Sequence, residues 1–374
     1  MISCGEASGD LYAGALVRAL RRQAPGIVTS GFGGARMAEA GADLIGDYRG
    51  FSVTGLTEAF SVLRRSWTML RTLEDAARDQ RPDVFVAIDF PDFNFRLLPI
   101  MHRLGIPIVY YVSPQLWAWR AGRLKTLKQY VSKMLVIFPF EAGLYEGAGV
   151  PVEFVGHPLI DLVGTTRSRA ETRAAAGLDA GRPVVALLPG SRPNEVRLLL
   201  SVLVDAAAQL VRAVPGVQFL VARAPALDDV LFAPLDQLRA AGVSVGILAD
   251  ATDDVLAASD VAITASGTAT VQSALHLRPM VIVYRVSLLT YAVGKRVIRV
   301  ANYGMVNLVA GRAVVRELIQ EHCTPEAVAG ETQSLLLDTE RAERMRTDLA
   351  EVVNKLGGSG ASERAAAAVL AACR

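Results

Sequence analysis

A short turn of glycine and hydroxyl residues, Ser266-Gly267-Thr268, could hold a negatively charged ligand. It lies between an apolar stretch at 261–264, predicted to be a buried strand, and a helix predicted over 268–277. Gly267 allows a ligand to approach the backbone closely, and the free N–H groups of a helix N-terminus favour an anion such as a pyrophosphate. An ordinary strand-to-helix turn, capped by a serine or threonine, is the alternative for this stretch alone.

A second turn of the same design is Gly190-Ser191-Arg192, which follows an apolar strand predicted at 184–188. A helix is predicted to begin near Asn194. The guanidinium of Arg192 is a permanent cation whose planar donors suit phosphate oxygens. Because two strand–glycine–helix turns occur in the same half of the chain, the anion-binding interpretation is favoured for both.

Carboxylates that could remove a proton occur in the first half of the chain. Asp89 and Asp92 follow a predicted strand at 84–88, and parallel sheets place ligands outside the carboxyl ends of their strands. Either could act as a general base on a hydroxyl, although Asp92 could instead cap the helix that follows. Glu6 lies in a glycine-containing turn before a helix predicted at 11–22.

Two further loops contain residues suited to ligand contacts. Asn307 lies among small residues, where it either contacts a ligand or stabilises a turn. Trp117, Trp119 and Arg120 share one connection, which suits the face of a sugar or the rim of an apolar ligand site. The alternative for the tryptophans is that they cover the core.

These residues require an architecture that brings strand ends together. The strand at 261–264, the helix at 268–277 and a strand at 280–284 form a βαβ unit, whose two strands should run parallel. Strand–helix alternation continues through both halves, which are separated by 162–182, a stretch rich in Arg, Ala, Thr and Gly. The predicted fold class is therefore α/β, with two domains that each contain a parallel sheet.

A long amphipathic helix is predicted within 51–78. Its apolar stripe, at helical spacing, comprises Phe60, Val62, Leu63, Trp67, Met69, Leu70 and Leu73. The arginines that interrupt this stripe are Arg64, Arg65 and Arg71. A wide apolar face with tryptophan and arginine suits a membrane interface or an acyl-chain groove, whereas the alternative is a helix packed on its own sheet.

Composition limits the classes of protein to which the chain can belong. Its 374 residues favour two domains, and its 52% apolar residues suffice for a large core. Mean hydropathy is high, at +0.33, but no stretch of about 18 uncharged apolar residues exists, so no transmembrane helix is expected. A net charge of +2, from 39 basic and 37 acidic residues, argues against nucleic-acid binding.

No metal and no cofactor are expected from the sequence. The three cysteines and four histidines lack metal-ligand spacing, and the cysteines resemble the reduced thiols of a cytoplasmic protein. The run Gly31-Phe32-Gly33-Gly34 lacks the spacing of a dinucleotide fingerprint, so a nicotinamide cofactor is not expected.

Seven motifs, taken in order, resemble those of the lipid-A-disaccharide synthase family. They are CGEASGD at 4–10, IDFPDFN at 88–94, YVSPQLWAWR at 111–120, GHP at 156–158, LPGSR at 188–192, ASGTAT at 265–270 and NLVAGR at 307–312. Each motif is weak alone, but seven in order along essentially the whole chain are highly specific. The resemblance implies the GT-B architecture, in which two Rossmann-like domains with parallel sheets face each other across a cleft. The domains would span 1–163, completed by a C-terminal helix at 359–374, and 164–358.

The resemblance also implies a reaction and a location. Members join UDP-2,3-diacylglucosamine to 2,3-diacylglucosamine 1-phosphate (lipid X), which releases UDP and forms the β-1,6-linked lipid A disaccharide 1-phosphate. The expected partners are these two substrates and the anionic surface of the inner membrane at its cytoplasmic face, and a homodimer is an open alternative. Another GT-B UDP-sugar enzyme, an epimerase or a peptidoglycan glycosyltransferase, is the alternative function. A non-catalytic nucleotide-sugar-binding protein is a third.

The resemblance assigns roles to individual positions of this sequence. Asp89 matches the general base on the acceptor 6-hydroxyl, and Glu6 matches the acidic residue that orients the acceptor. Asn307 matches an asparagine of the site. The residues expected to hold the UDP pyrophosphate are Gly190, Ser191, Arg192, Ser266, Gly267 and Thr268.

Two positions depart from the family pattern. Gln272 stands where the family usually places a glutamate on the ribose hydroxyls of the nucleotide. A glutamine accepts hydrogen bonds through its carbonyl oxygen but carries no charge, so weaker UDP binding is predicted, and Gln272→Glu should strengthen it. Thr54 is the second departure, at a position where methionine is common.

Overall fold

A computed structural model of the chain describes residues 1–49, 56–116, 122–225, 227–287 and 303–373, with side chains of the helix Leu56–Gln80 described from Arg64 onward. The chain divides into two compact units. Unit 1 is Met1–Leu162 with Leu356–Arg374, and unit 2 is Val163–Lys355. The predictions that lie outside the described residues concern Thr54, Trp117, Trp119, Arg120 and the side chains of Phe60, Val62 and Leu63.

Unit 1 contains a sheet of seven described strands, and every pair of neighbours in it runs parallel. The strands are β1 (Ile2–Ser3), β2 (Ser30–Gly33), β3 (Asp43–Asp47), β4 (Phe85–Ile88), β5 (Ile108–Tyr111), β6 (Lys133–Val136) and β7 (Val152–Phe154). Their order across the sheet is β3-β2-β1-β4-β5-β6-β7. β4 and β5 are continuous buried runs, as expected for parallel strands covered on both faces.

Helices connect these strands. They are α1 (Ala7–Gln23), α2 (Ala35–Glu39), α3 (Leu56–Gln80), α4 (Pro91–Arg103), α5 (Arg123–Tyr130), α6 (Pro139–Ala148) and α7 (Leu159–Leu162). The first helix begins at Ala7 rather than at the predicted residue 11, so the first loop is shorter than the sequence suggested.

The apolar stripe of α3 is divided between core and surface. Leu70 and Leu73 are buried in the core of unit 1, and Met69 packs against it, beside Gly46. Trp67 is 57% exposed, and the guanidinium of Arg96 lies 5.7 Å from its ring centroid. The C-terminal part of the stripe therefore packs on its own sheet, and only Trp67 remains as an exposed apolar contact among its described side chains.

Unit 2 contains a second parallel sheet, of six described strands in the order β10-β9-β8-β11-β12-β13. The strands are β8 (Val184–Leu188), β9 (Gln218–Arg223), β10 (Val245–Ala249), β11 (Val261–Ala265), β12 (Met280–Tyr284) and β13 (Glu317–Ile319). The predicted parallel pairing of the strands on either side of the Gly267 turn is confirmed, with Ala262 opposite Met280 and Ala265 opposite Val283.

The helices of unit 2 continue the alternation. They are α8 (Arg169–Ala175), α9 (Pro193–Ala213), α10 (Asp236–Ala240), α11 (Thr252–Ala258), α12 (Thr268–Leu275), α13 (Met305–Ala310), α14 (Pro325–Leu337) and α15 (Thr339–Lys355), with 3₁₀ turns at Asp229–Leu235 and Gln320–His322. The segment before α10 is not α-helical, since a 3₁₀ turn that contains Pro234 occupies Asp229–Leu235. Proline removes a backbone donor and does not fit an α-helix interior.

The last helix, α16 (Ala361–Ala372), returns to unit 1 and packs on α1. Glu363 accepts hydrogen bonds from the side chains of Arg22 and Gln23 on α1. The backbone N–H of His157 donates to the Leu356 carbonyl oxygen at 2.9 Å, and that of Gly360 donates to Asp161 Oδ1 at 2.7 Å. These contacts fix the end of the chain to the unit in which it began.

No helix of the described residues has both the length and the apolar character that a bilayer crossing requires.

Candidate functional site

Both sheets reverse their strand order at one point, and the predicted site residues lie at these points. The order changes direction between β1 and β4 in unit 1 and between β8 and β11 in unit 2. Open parallel sheets bind ligands at such switch points, outside the carboxyl ends of the strands. The turns with Glu6 and Asp89 follow β1 and β4, and the turns with Arg192 and Gly267 follow β8 and β11. Topology therefore brings each pair of turns together.

Asp89 has a strained backbone. Its φ is 43°, and Phe90 follows with φ 46°. The left-handed region crowds the Cβ of any residue other than glycine, at a cost of roughly 1–2 kcal/mol per residue. Two fully buried side chains hold it there, because Asn94 Nδ2 and the Tyr110 hydroxyl donate to the Asp89 carbonyl oxygen at 2.9 and 2.8 Å. Strain held in this way is typical of functional sites.

Asn94 also joins the turn after β4 to the first loop of the chain. Its Oδ1 accepts a hydrogen bond from Ser3 Oγ at 2.7 Å, and its Nδ2 lies 3.3 Å from the Ser3 carbonyl oxygen. Gly5 packs under the ring of Phe90, and a Cβ at this position would lie 2.1 Å from that ring. The loop with the half-buried Glu6 is therefore held against the turn that contains the candidate base.

The other two carboxylates near this edge have structural roles. Asp10 is buried and accepts hydrogen bonds from backbone N–H groups at the start of α2. Asp92 forms an ion pair with Arg123. The suggestion that Asp92 caps α4 is wrong, because the helix begins at Pro91 and its N-cap is Phe90. Proline is favoured at a first helical position, where its missing N–H costs no hydrogen bond.

In unit 2, the turn after β8 combines a required glycine with a charged pair. Gly190 has φ 119°, and a Cβ there would lie 2.6 Å from Glu195 Oε2. Glu195 also accepts a hydrogen bond from the Ser191 backbone N–H at 3.3 Å and pairs with Arg192 at 3.0 Å. The Arg192 side chain is 59% exposed. A phosphate at this turn would therefore compete with Glu195 for a guanidinium that faces solvent.

The turn after β11 offers open space beside a helix N-terminus. Gly267 has φ 144° and no heavy atom of the described residues within 4 Å of an added Cβ. Backbone conformation, rather than space, therefore requires glycine here. Thr268 begins α12, and Ser266 Oγ donates to the Tyr303 carbonyl oxygen at 3.3 Å. Small groups and helix N–H donors thus face open space, as an anion site requires.

Tyr284, at the end of β12, has a pKa that is affected by the charged pair of the turn after β8. Burial raises the pKa of Tyr284, Glu195 raises it further, and Arg192 lowers it.

Gln272 lies one turn into α12 beyond Thr268, as predicted. Its Nε2 is 3.4 Å from Asp253 Oδ1, on α11, and His276 Nε2 lies 3.0 Å from the same oxygen. Neither Asp253 nor His276 was singled out from the sequence, since their contact with Gln272 depends on how α11 packs against α12.

Asn307 is buried inside unit 2, with 1% of its surface exposed. Its Nδ2 donates to the Val315 carbonyl oxygen and to Glu317 Oε1, and its Oδ1 accepts from the Val314 and Val315 backbone N–H groups. Of the two roles that the sequence left open, this geometry favours the turn-stabilising asparagine. Its contact with a ligand stays a prediction.

The histidine of the GHP motif is also structural. His157 is 1% exposed, and its Nδ1 accepts a hydrogen bond from the Leu159 backbone N–H at 3.2 Å. Burial lowers the pKa of His157 to about 3, so the imidazole is neutral at physiological pH.

A cavity of about 380 Å³ lies elsewhere in unit 2, before the amino ends of β8 and β11. Arg169 and Arg173 line it, and their guanidiniums bind Asp260 and backbone carbonyl oxygens. This ion network is on the side of the sheet opposite to the switch point. Among the described residues, no cluster of three or more His, Cys, Asp or Glu side chains could hold a metal ion.

Comparison with known proteins identifies relatives along the whole chain. A sequence model of the family described as lipid-A-disaccharide synthetase matches residues 1–372. The lipid-A-disaccharide synthase of Geobacter sulfurreducens is 46% identical over 370 residues, which are 99% of this chain and 96% of that protein. The lipid-A-disaccharide synthase of Myxococcus xanthus is 42% identical over the same shares of both chains.

Solved structures share the fold at low identity. The UDP-GlcNAc 2-epimerase from Neisseria meningitidis, bound to UDP-GlcNAc, has a TM-score of 0.70 at 13% identity and covers 99% of both chains. The glycosyltransferase of kitacinnamycin has a TM-score of 0.65 at 18% identity, over 100% of this chain and 98% of that one. At such identities the likeness concerns the fold alone.

Proposed function

The chain belongs to the lipid-A-disaccharide synthase family, and we propose that its two switch points bind the two substrates of the reaction. It is a glycosyltransferase of GT-B fold class that makes the lipid A disaccharide. The substrates that we propose are UDP-2,3-diacylglucosamine at the switch point of unit 2 and lipid X at that of unit 1. The single observation that best supports the acceptor assignment is the strained backbone of Asp89, whose carbonyl oxygen accepts hydrogen bonds from Asn94 and Tyr110.

In this proposal Asp89 removes the proton from the acceptor 6-hydroxyl. Asp89 follows the central strand β4. The hydrogen bonds to its backbone carbonyl oxygen fix the position of the backbone from which the carboxylate extends. A positioned base of this kind contributes roughly 10²–10⁴-fold to a proton-transfer step. Glu6, in the neighbouring loop, orients the acceptor sugar.

The donor half of the proposal concerns the UDP leaving group, whose phosphates carry negative charge. Arg192 and the N-terminus of α12 supply positive potential beside Gly190, Ser191 and the Gly267 turn. Such groups stabilise the charge that develops on the leaving phosphate. Attack of the acceptor oxygen from the opposite side then inverts the anomeric centre.

The alternative of an epimerase or a peptidoglycan glycosyltransferase is not favoured. The epimerase structures share the fold at 11–13% identity, whereas proteins named lipid-A-disaccharide synthase reach 42–46% over nearly the whole chain. An epimerase also needs no base for an acceptor hydroxyl.

We further propose that the enzyme binds the cytoplasmic face of the inner membrane through α3. The exposed Trp67 lies on the same helix as Arg64 and Arg65, which are exposed as well, and this combination suits the interface of an anionic bilayer. Met69 packs against the core, so it is not a suitable target for testing this surface.

The membrane proposal predicts that Trp67→Glu weakens binding to phosphatidylglycerol-containing vesicles about tenfold without lowering the melting temperature. Sedimentation with vesicles measures the bound fraction, and Val230→Glu, at another exposed apolar position, is the control. Equal binding of the Trp67 variant and the wild type would exclude this surface.

The activity itself is tested with purified enzyme, radiolabelled UDP-2,3-diacylglucosamine and lipid X. We expect a lipid-soluble disaccharide and free UDP in equal amounts. UDP-sugar that is consumed without lipid X, or that changes configuration without forming a disaccharide, would contradict the proposal.

A further inference from the structure

We infer that Asp253 is a positioning residue for nucleotide recognition: it holds the Gln272 amide so that the carbonyl oxygen Oε1 faces the ribose hydroxyls. This inference rests on the proposed function, in which unit 2 binds UDP. It assigns a role to a carboxylate that the mechanism above does not use.

The contacts of the cluster define its geometry. Asp253 is in the first turn of α11, and its Oδ1 lies 3.4 Å from Gln272 Nε2 and 3.0 Å from His276 Nε2. Thr268, Gln272 and His276 are four residues apart, so they share one face at α12 and its C-cap. The side chains of Asp253 and His276 are 20% and 12% exposed. Gln272 and His276, which contact Asp253, therefore lie on the same face of α12 as Thr268 at the Gly267 turn.

The chemistry of the carboxylate fixes the orientation of the amide. An ionised aspartate only accepts hydrogen bonds, so it binds the NH₂ end of Gln272 and not its oxygen. Oε1 must then point away from Asp253, and it has no hydrogen-bond donor among the described residues. Ribose hydroxyls are donors that need such an acceptor. With Asp253 in place, a neutral glutamine thus presents the same kind of group as the glutamate that the family usually has there.

His276 strengthens this arrangement. An imidazole that donates its Nε2–H to Asp253 Oδ1 holds the carboxylate beside α12. Asp253 is also in the first turn of α11, where the helix dipole favours a negative charge. Both effects keep the Asp253 carboxylate in position to orient Gln272.

The same geometry changes the expectation for Gln272→Glu. A glutamate at 272 would place a second carboxylate within about the same 3.4 Å of Asp253 that the amide now occupies. Two carboxylates at that distance repel, so the new side chain would turn away or take up a proton. We therefore expect no gain in UDP affinity from Gln272→Glu alone, in contrast to the sequence-based prediction.

The test compares binding of UDP and 2′-deoxy-UDP by calorimetry. One ribose hydrogen bond is worth roughly 1 kcal/mol, so the wild type should prefer UDP about fivefold. Asp253→Asn keeps the size of the side chain but accepts either end of Gln272, so the preference should fall below about twofold while 2′-deoxy-UDP binds as before. Asp253→Asn combined with Gln272→Glu should restore the preference, because a carboxylate at 272 is an acceptor in any orientation.

Asp236→Asn is the matched control, since Asp236 is also in the first turn of a helix of unit 2 and is paired with an arginine on the surface. It should leave both affinities unchanged. A wild-type preference that persists in Asp253→Asn would overturn the inference, as would tighter UDP binding by Gln272→Glu alone. A melting curve for each variant separates loss of recognition from loss of folding.

Failure of the proposed function would give a different result. If the wild type does not bind UDP, or if Arg192→Gln leaves UDP affinity unchanged, the donor site itself is wrong and the inference falls with it. If Arg192→Gln weakens UDP binding but Asp253→Asn does not change the preference for the ribose hydroxyl, only the role of Asp253 is refuted.

Discussion

The two switch points differ in what holds their functional groups. In unit 1, the Asp89 carbonyl oxygen is bound by Asn94 and Tyr110, both fully buried, and its backbone is strained. In unit 2, Arg192 is 59% exposed and pairs with a neighbour three residues away, and Gly267 faces open space. The first site depends on packing of the core, and the second on surface charge. Core substitutions should therefore act on the acceptor step, and charge and salt on the binding of UDP.

The largest effect is expected from removal of the charge on Asp89. Asp89→Asn should lower kcat by about 10²–10⁴-fold, because a carboxamide cannot accept the proton, and leave UDP affinity unchanged. Disaccharide formation and UDP calorimetry measure the two quantities. Asp92→Asn, which removes the charge that pairs with Arg123, is the control. Unchanged turnover in Asp89→Asn would remove this residue from the mechanism.

Arg192→Gln should act on the other half of the comparison. A charge-assisted hydrogen bond is worth roughly 1.5–3 kcal/mol, so the Kd for UDP should rise about 10- to 100-fold. The affinity of the wild type should fall as salt is added, and that of the variant should fall less, because an exposed charge is screened. Arg197→Gln, at an exposed position of the same helix, is the control. Equal salt dependence in both variants would contradict a role for surface charge in unit 2.

Two adjacent tyrosines of β5 test whether the buried hydrogen bonds to the Asp89 carbonyl oxygen support catalysis. Tyr110 and Tyr111 are both fully buried, but the Tyr110 hydroxyl donates to Asp89, and the Tyr111 hydroxyl has no hydrogen-bond partner among the described residues. Tyr110→Phe should lower kcat about two- to tenfold and leave UDP affinity unchanged, since one hydrogen bond is lost. Tyr111→Phe should leave kcat unchanged and the melting temperature equal or higher. If both variants have the kcat of the wild type, the hydrogen bond from Tyr110 does not position Asp89 for catalysis.

The last prediction concerns stability rather than activity, namely how pH affects the two units. The folded-state pKa of His157 is about 3, below the value of about 6.5 expected in an unfolded chain. Unfolded chains therefore bind a proton that the folded unit 1 excludes, and stability present above pH 6.5 is lost as pH falls towards 3, at up to about 1.4 kcal/mol per pH unit. In unit 2, burial acts to raise the pKa of Asp254, but hydrogen bonds from Thr166 and Arg167 together outweigh it and lower the pKa. The contribution of Asp254 to stability is therefore lost only as pH falls below about 4.

Hydrogen exchange at pH 7, 5.5 and 4.5 measures this order. We expect protection in β5 and β6 of unit 1 to decrease before that in β8 and β11 of unit 2. His157→Gln should reduce the decrease in unit 1, while His102→Gln, at an exposed position of α4, should not. Simultaneous loss of protection in both units would show that His157 does not determine which unit loses stability first as the pH falls.

Most of the architecture could be predicted because its signals are local. An apolar run, then a glycine turn, then a helical pattern is sufficient to place β8, β11 and β12, and the observed strands agree to within one residue. The turns with Gly190 and Gly267 follow from the same local signals, because only glycine adopts their backbone angles at no steric cost.

Burial of individual side chains does not follow from such local signals. The sequence leaves Asn307 open between a ligand contact and a turn-stabilising role, and only the structure shows that it is buried and bound by backbone groups. The sequence leaves the apolar stripe of α3 open between a membrane interface and packing on the sheet, and only the structure shows that Met69 packs against the core. Periodicity shows which residues share a face of a helix, and not where that face meets another element.

The sequence by itself determined the types of group at each strand end, the two parallel sheets and, through seven ordered motifs, the family. Only the tertiary structure decided which partners hold those groups. Asn94 reaches Ser3 across 91 residues, Tyr110 reaches Asp89 across 21, and Asp253 reaches Gln272 across 19. Strand order and helix packing bring these residues together. Local propensity acts over a few residues only, so it does not specify hydrogen bonds over such separations.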